Sequence, residues 1–325
     1  MRPLVVPATG SRLRTALSVL YSSLAPDEQA VRIANAETAS ADGSLDLSHL
    51  LLAELNHEPA GALLLSIQET GIGSVWPPIV APQFSEPTRA PRLAEMIEDA
   101  LLQEAASQLD ANDAWIGQSL LNVGQLKEQA ALTRNGFRYL TELIFFERSR
   151  SSDSLVTTQT SVAASAPVSR LTSATYRASR DRLRFASLLE ATYFGTLDCP
   201  ELNGVRSAAQ SLANHEAAGN YRSDMWRRYR LNGADVGLLL SVNRLEQRGL
   251  EVIYLGVIES ARRRGVARTM LSDSIQMAQK AGVERMLIAA DVRNVPARRL
   301  YESLGFVENS RKVACVRLRG IRHDH

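Results

Sequence analysis

Two short segments far apart in the chain end the same way. Arg134-Asn-Gly-Phe137 and Ser303-Leu-Gly-Phe306 each close a short amphipathic stretch. Gly61 and Gly237 each sit in the returning strand of an apolar hairpin. Between these landmarks the same order of apolar runs and polar turns recurs, so the chain reads as an internal duplication. The offsets, 176 residues from Gly61 to Gly237 and 169 from Arg134 to Ser303, differ only by loop length. A duplication is a strong constraint, because each half must bury a core with the same sequence of elements. A chain of 325 residues has room for two units of roughly 150.

The first half predicts a strand at Leu4–Val6, a helix from about Arg12 to Leu24 and a second helix opened by Pro26. A hairpin follows, Leu50–Leu55 and Ala62–Ile67, then a strand over Gly73–Val80 that Pro77-Pro78 must interrupt. A long amphipathic helix covers Arg92–Leu109, a short strand Trp115-Ile116, a helix Gln125–Thr133 and a strand pair Phe137–Phe146. Residues 149–169 are rich in Ser, Thr and Ala and read as a linker, with a possible edge strand at Leu155–Thr160. The expected division is 1–148, a linker at 149–167, and 168–325. The second half predicts a strand to Thr175, helices Arg180–Tyr193 and up to Ala217, and a hairpin around Asn232-Gly233. Strands at Val252–Val257, Met286–Ala290 and Lys312–Leu318 alternate with helices over Val266–Lys280 and Pro296–Ser303.

The balance of 45% hydrophobic and 22% charged residues is that of an ordinary globular protein. A net charge of +2 is too small for a nucleic-acid binder. No apolar run approaches the ~20 residues of a membrane helix, and Met-Arg-Pro-Leu-Val-Val-Pro is too short for a secretory signal. The expectation is a cytoplasmic protein acting away from membranes. Cys199 and Cys315 match no metal or disulfide pattern, and His323-Asp-His325 at the chain end reads as a tail, so no metal site is expected.

The chemistry concentrates in Val257-Ile-Glu-Ser-Ala-Arg-Arg-Arg-Gly-Val-Ala267. A buried strand, a basic loop with a glycine and a helix N-terminus together make an anion site. Free backbone N–H groups and the positive helix end point there, and glycine permits close approach.

Two signatures in sequence give this half a resemblance to a known family. One is Arg262-Arg-Arg-Gly265-Val-Ala267 after Val257. The other is Asn294-Val-Pro-Ala297-Arg-Arg-Leu-Tyr301-Glu-Ser-Leu-Gly305-Phe306. Residues 168–325 resemble a GCN5-related N-acetyltransferase (GNAT) domain. The resemblance implies an α/β (α+β) fold of two tandem GNAT-like domains, each a mixed, mostly antiparallel sheet flanked by helices. It implies acetyl-CoA as acyl donor and direct transfer to a primary amine, on a small molecule or peptide. The backbone of Arg262, Arg263, Arg264, Gly265, Val266 and Ala267 would hold the pyrophosphate, and that of Val257 and Glu259 the acetyl carbonyl and pantetheine arm. Asn294 would contact the pantetheine and Tyr301 would protonate the leaving thiolate. Glu251, eleven residues before Arg262, takes the place of the base used in the histone-type branch. Asp198 and Glu201 could attract a cationic amine, or be solvated loop acids. A non-catalytic coenzyme-A-binding sensor or interaction module is the alternative, and the oligomeric state is open.

Laid on residues 1–148, the same pattern loses its chemistry. Arg89-Ala-Pro-Arg92-Leu-Ala94 replaces the loop, with Arg92 at the Gly265 position. Leu132 falls opposite Tyr301, Gln125 opposite Asn294 and Pro78 opposite Glu251. The first half reads as a degenerate copy.

Overall fold

The computed structural model describes residues 2–85, 91–150, 171–218, 220–221, 223–244 and 249–319. The expected strand at Leu155–Thr160, nearly all of the linker and the terminal histidines lie outside them. The chain packs as two compact units. The first runs up to Leu140 and includes the chain from Val313 onward; the second is Thr141–Lys312.

The first unit begins with β1 (Leu4–Pro7), α1 (Ser11–Leu20) and α2 (Pro26–Ala41). The hairpin follows as β2 (Leu51–Leu55) and β3 (Glu58–Leu63), with β4 (Leu65–Ile67) after a break at Leu64. The prolines split the next strand into β5 (Ile72–Val75) and β6 (Ile79–Val80). A proline has no N–H for the ladder, so the two pieces pair in different directions. β5 runs parallel to β7 (Ile116–Asn122), while β6 pairs antiparallel with β3. Helices α3 (Pro82–Ser85), α4 (Pro91–Ala111) and α5 (Leu126–Arg134) complete the set. The strand expected at Trp115-Ile116 is therefore longer than its pattern suggested.

The second unit takes in most of β8 (Arg138–Ser149), then β9 (Leu171–Thr175), α6 (Ala178–Tyr193), α7 (Ala208–Ala217) and β10 (Asn220–Tyr221). Next come β11 (Arg227–Leu231), β12 (Ala234–Arg244), β13 (Gly249–Val257) and α8 (Val266–Lys280). It ends with β14 (Arg285–Asp291), α9 (Val295–Ser303) and the start of β15 (Val307–Leu318). Strand order is β8-β14-β13-β12-β11-β9, with β13 and β14 the parallel pair. The β11–β12 turn is Asn232-Gly233, with φ of 52° and 86° as a type I′ turn requires. Leu238 and Leu240 join a core with Phe185, Leu189 and Leu212 of α6 and α7. Leu239 joins Met270, Leu271 and Tyr301 of α8 and α9.

Each unit contains a strand that a linear duplication assigns to the other half. Ile144 and Phe146 of β8 lie in the second unit's core. Val313 and Cys315 of β15 lie in the first unit's core with Leu51, Leu102 and Phe137. The boundaries 1–148 and 168–325 do not separate these strands, because alternating apolar residues suit either sheet equally.

The duplication is visible in packing detail. A Cβ on Gly61 would lie 2.6 Å from Ile97 Cγ2 on α4. A Cβ on Gly237 would lie 2.9 Å from Met270 Sδ on α8 and 2.7 Å from the Gly256 carbonyl oxygen. In both units glycine lets the long helix sit directly on the returning strand. Gly237→Val is expected to lower stability by about 1–3 kcal/mol, through overpacking against backbone that cannot yield. The urea midpoint measures this. The short helices also end alike. Phe137 N–H donates to Leu132 O (3.0 Å) and Phe306 N–H to Tyr301 O (3.1 Å), each after a glycine with φ of 85° or 82°. Leu132 thus holds the place of Tyr301. Among the described residues no helix is long and apolar enough to cross a membrane.

Candidate active site

The second unit's sheet opens at one point. β13 and β14 pair from Gly249↔Arg285 to Val252↔Ile288 and no further, although β13 continues to Val257 and β14 to Asp291. β14 stays bonded to β8 as far as Asp291↔Leu143, and β13 to β12 as far as Val257↔Gly237. A register shift between Leu240 and Ser241, opposite Tyr254 and Val252, leaves Ile253 as the extra residue where the two strands part. The β14-facing backbone of Ile253–Val257 is thereby left without a strand partner, the Val257 carbonyl being taken by Arg262.

At the far end of β13 the basic loop turns into α8. Gly265 is the helix N-cap with φ of 78°, a left-handed conformation that glycine adopts without cost. No side chain caps the helix and its first turn has no acidic residue. The first N–H groups of α8 thus point outward at its positive end, with exposed Arg263 and Arg264 beside them. In the first unit Arg92, which the sequence sets opposite Gly265, lies inside α4. Arg89 lies outside the described residues.

Arg262 has a different task from its neighbours. Its guanidinium donates to the carbonyls of Val257 (2.9 Å), Thr192 (2.9 Å), Phe194 (2.7 Å) and Gly195 (2.6 Å), and its own N–H goes to Glu259 O (3.1 Å). It therefore caps the C-terminal end of α6 and ties it to the end of β13. Arg262→Ala is expected to cost roughly 2–3 kcal/mol, the scale of lost hydrogen bonds to a charged group. Arg262→Lys should recover only part of it, because an ammonium lacks the planar fork. Urea denaturation of both variants checks this.

Tyr301 lies on α9, 3% exposed, edge-on to Phe146 with ring centroids 5.7 Å apart. Its hydroxyl has no hydrogen-bond partner among the described residues. Burial, and then the charge of Asp198, raise its pKa well above the usual phenol range, so it carries its proton at any physiological pH. Asn294 caps α9 by accepting from Ala297 N–H (3.1 Å), and its Nδ2 donates to Asp198 Oδ2 (2.7 Å).

The loop between α6 and α7 is tied down by its acids. Glu201 receives two bonds from the Arg293 guanidinium, at 2.5 and 3.0 Å. The reading of Glu201 as bait for a cationic amine is corrected here, since Arg293 neutralises it. Asp291 is fully buried and accepts from Thr141 Oγ1 (2.8 Å), Cys199 N–H (3.1 Å) and Arg293. Burial would raise its pKa, but the bonds from Arg293, Thr141 and Cys199 outweigh it and hold the carboxyl below its usual value. Burial, then Asp291 and Asp198, push the Cys199 thiol up to about 12. Glu251, in the paired part of β13 opposite Leu287, is bonded by Arg244 Nε at 2.5 Å. Glu259 is exposed in a short 3₁₀ turn, and Val257 is 8% exposed. The contacts of Asp198, Asn294, Asp291 and Arg293 are the part of the site that residue spacing did not announce.

The model of the acetyltransferase (GNAT) family matches residues 202–306, which hold β11 to β14, α8 and α9. No curated protein matches the chain in sequence. Solved structures do match. A GCN5-related N-acetyltransferase from Sphaerobacter thermophilus superposes with a TM-score of 0.57 at 16% identity, over 98% of this chain and 96% of that one. A conserved protein of unknown function from Staphylococcus epidermidis gives 0.51 at 11% identity, over 80% and 91%. A glucosamine N-acetyltransferase region in a fungal multi-domain GH3 β-N-acetylglucosaminidase gives 0.50 at 10%, over 82% of this chain and 32% of that one. At these identities the likeness is one of fold. Residues 202–306 match the acetyltransferase (GNAT) family model, and the chain as a whole has a fold like that of a GCN5-related N-acetyltransferase of known structure.

Proposed function

We propose that the second unit transfers an acetyl group from acetyl-CoA directly to a primary amine of a small molecule or peptide, and that the first unit is non-catalytic. The backbone N–H groups of Arg263, Arg264, Gly265, Val266 and Ala267 hold the pyrophosphate at the α8 N-terminus, with Arg262 bracing the turn from outside. The backbone of Val257 and Glu259 and the strand gap receive the acetyl carbonyl and pantetheine arm. Asn294 borders that arm through its one uncommitted Nδ2 hydrogen. Tyr301 protonates the leaving thiolate. Glu251 is a candidate base, although its carboxylate is engaged by Arg244.

The observation that carries the reading is the hydroxyl of Tyr301, which has no partner among the described residues although the side chain is only 3% exposed. A hydroxyl held on a packed ring without a protein partner is free to bond a ligand. A coenzyme sensor needs no proton donor there. The test is a thermal shift with acetyl-CoA followed by thiol release over a panel of primary amines. Stabilisation with thiol release supports the enzyme. Stabilisation without release from any amine would make the chain a coenzyme-binding sensor.

A further inference from the structure

We propose that Asp198 receives the acceptor as its ammonium ion and takes one proton from it, so that the acceptor is a primary amine that is cationic at neutral pH. This rests on the acyl-transfer reading above.

Five carboxylates lie in or near the site; three are already committed, and Glu259 is exposed in the 3₁₀ turn at the coenzyme loop. Glu201 is held by the Arg293 fork. Asp291 is fully enclosed and takes bonds on both oxygens from Thr141, Cys199 N–H and Arg293. Glu251 is ion-paired with Arg244. Asp198 accepts only from neutral donors, the Asp291 N–H on Oδ1 (2.9 Å) and Asn294 Nδ2 on Oδ2 (2.7 Å). A carboxylate has about four lone-pair sites, so acceptor capacity remains on both oxygens. The residue is exposed, while its two bonds fix the carboxylate against the first turn of α9.

Its position is set by its two bonds, one from the Asp291 N–H at the end of β14 and one from Asn294, the N-cap of α9. Asp198 raises the pKa of Tyr301 on α9 and of Tyr254 on β13, in each case after burial as the larger cause. The bonds place it where β14 borders the gap and at the N-terminus of the helix that carries Tyr301. The Tyr301 hydroxyl, without a partner among the described residues on a side chain only 3% exposed, independently points to a ligand there. The charged and titratable groups around Asp198 are Asp291 and Arg293 at the end of β14, Cys199 on its own loop, Tyr301 and Tyr254. Crowding by protein, with the Asp291 charge adding, raises the Asp198 carboxyl; the bonds from Asp291 N–H and Asn294, and Arg293, oppose this without cancelling it. A raised carboxyl is a better proton acceptor near neutral pH. Cys199 keeps its proton and does not compete.

The step balances as follows. One proton moves from R–NH₃⁺ to Asp198, leaving a neutral amine and a carboxylic acid. The amine lone pair forms the C–N bond to the thioester carbonyl. The C–S bond breaks with its electron pair on sulfur, which takes the Tyr301 proton. The amide nitrogen loses its surplus proton to the tyrosinate, and Asp198 later releases its own to water. Neutralising Asp198 also removes a charge that holds the Tyr301 pKa up, so the base strengthens the acid as it accepts the proton.

The experiment uses the full chain, acetyl-CoA, and benzylamine, putrescine, glucosamine and a lysine-containing peptide as probes, with thiol release followed from about pH 6 to 9. Asp198→Asn keeps an acceptor for the Asp291 N–H. It is expected to lower kcat/KM about 100-fold near pH 7, with the deficit shrinking as pH rises and free amine accumulates. Calorimetric affinity for acetyl-CoA should be unchanged. Glu201→Gln, which loosens the same loop, should give a deficit that does not vary with pH. A pH-independent deficit in Asp198→Asn, no deficit, or loss of acetyl-CoA binding would each overturn the assignment. Absence of thiol release by the unaltered chain with every probe would overturn the acyl-transfer reading, and this assignment with it.

Discussion

Replacing Tyr301 by phenylalanine is expected to lower turnover about 100-fold while acetyl-CoA affinity stays unchanged. The ring is packed against Phe146 and Phe306 at centroid distances of 5.7 and 6.2 Å, and phenylalanine keeps those contacts. The hydroxyl has no partner to lose among the described residues. Its removal therefore leaves no orphaned group behind, and stability should hold or rise slightly. What is lost appears only as the C–S bond breaks, so the deficit belongs in kcat and not in binding. Steady-state kinetics with the best amine, set beside a calorimetric titration, separates the two. Unchanged kcat would remove Tyr301 from the acid role.

Gly265→Glu is expected to weaken acetyl-CoA binding by about 100-fold or more, a change of roughly 3 kcal/mol. Two effects add. At φ of 78° any side chain is strained, by roughly 1–2 kcal/mol. A carboxylate at this position also lies at the positive end of α8, where it would satisfy the N–H groups a phosphate needs. Gly265→Asn separates the effects, because asparagine tolerates the left-handed conformation and carries no charge. It should retain much of the affinity that the glutamate variant loses. Equal affinity in the glutamate variant would place the phosphates elsewhere.

The local features of the fold were readable from residue pattern, and the long-range ones were not. The Asn232-Gly233 turn, the Pro77-Pro78 interruption and the Gly265 helix start each depend on backbone chemistry confined to a few residues. The Gly-Phe closures after α5 and α9 aligned the two units well enough to set Leu132 opposite Tyr301. The placement of β8 and β15 was invisible, since their alternation fits any half-buried sheet. Arg262 looked like one of three equivalent basic residues. Its distinct role depends on carbonyls at Thr192 to Gly195, in a different part of the sequence. Asp198 and Glu201 looked alike for the same reason: only Arg293, more than ninety residues later, tells them apart.

The central claim is that the chain holds one working coenzyme cradle, at the α8 N-terminus. Calorimetric titration of the full chain with acetyl-CoA tests it most directly. One coenzyme per chain, lost in Gly265→Glu, is the expected result. Two per chain, or one that survives in Gly265→Glu, would contradict it.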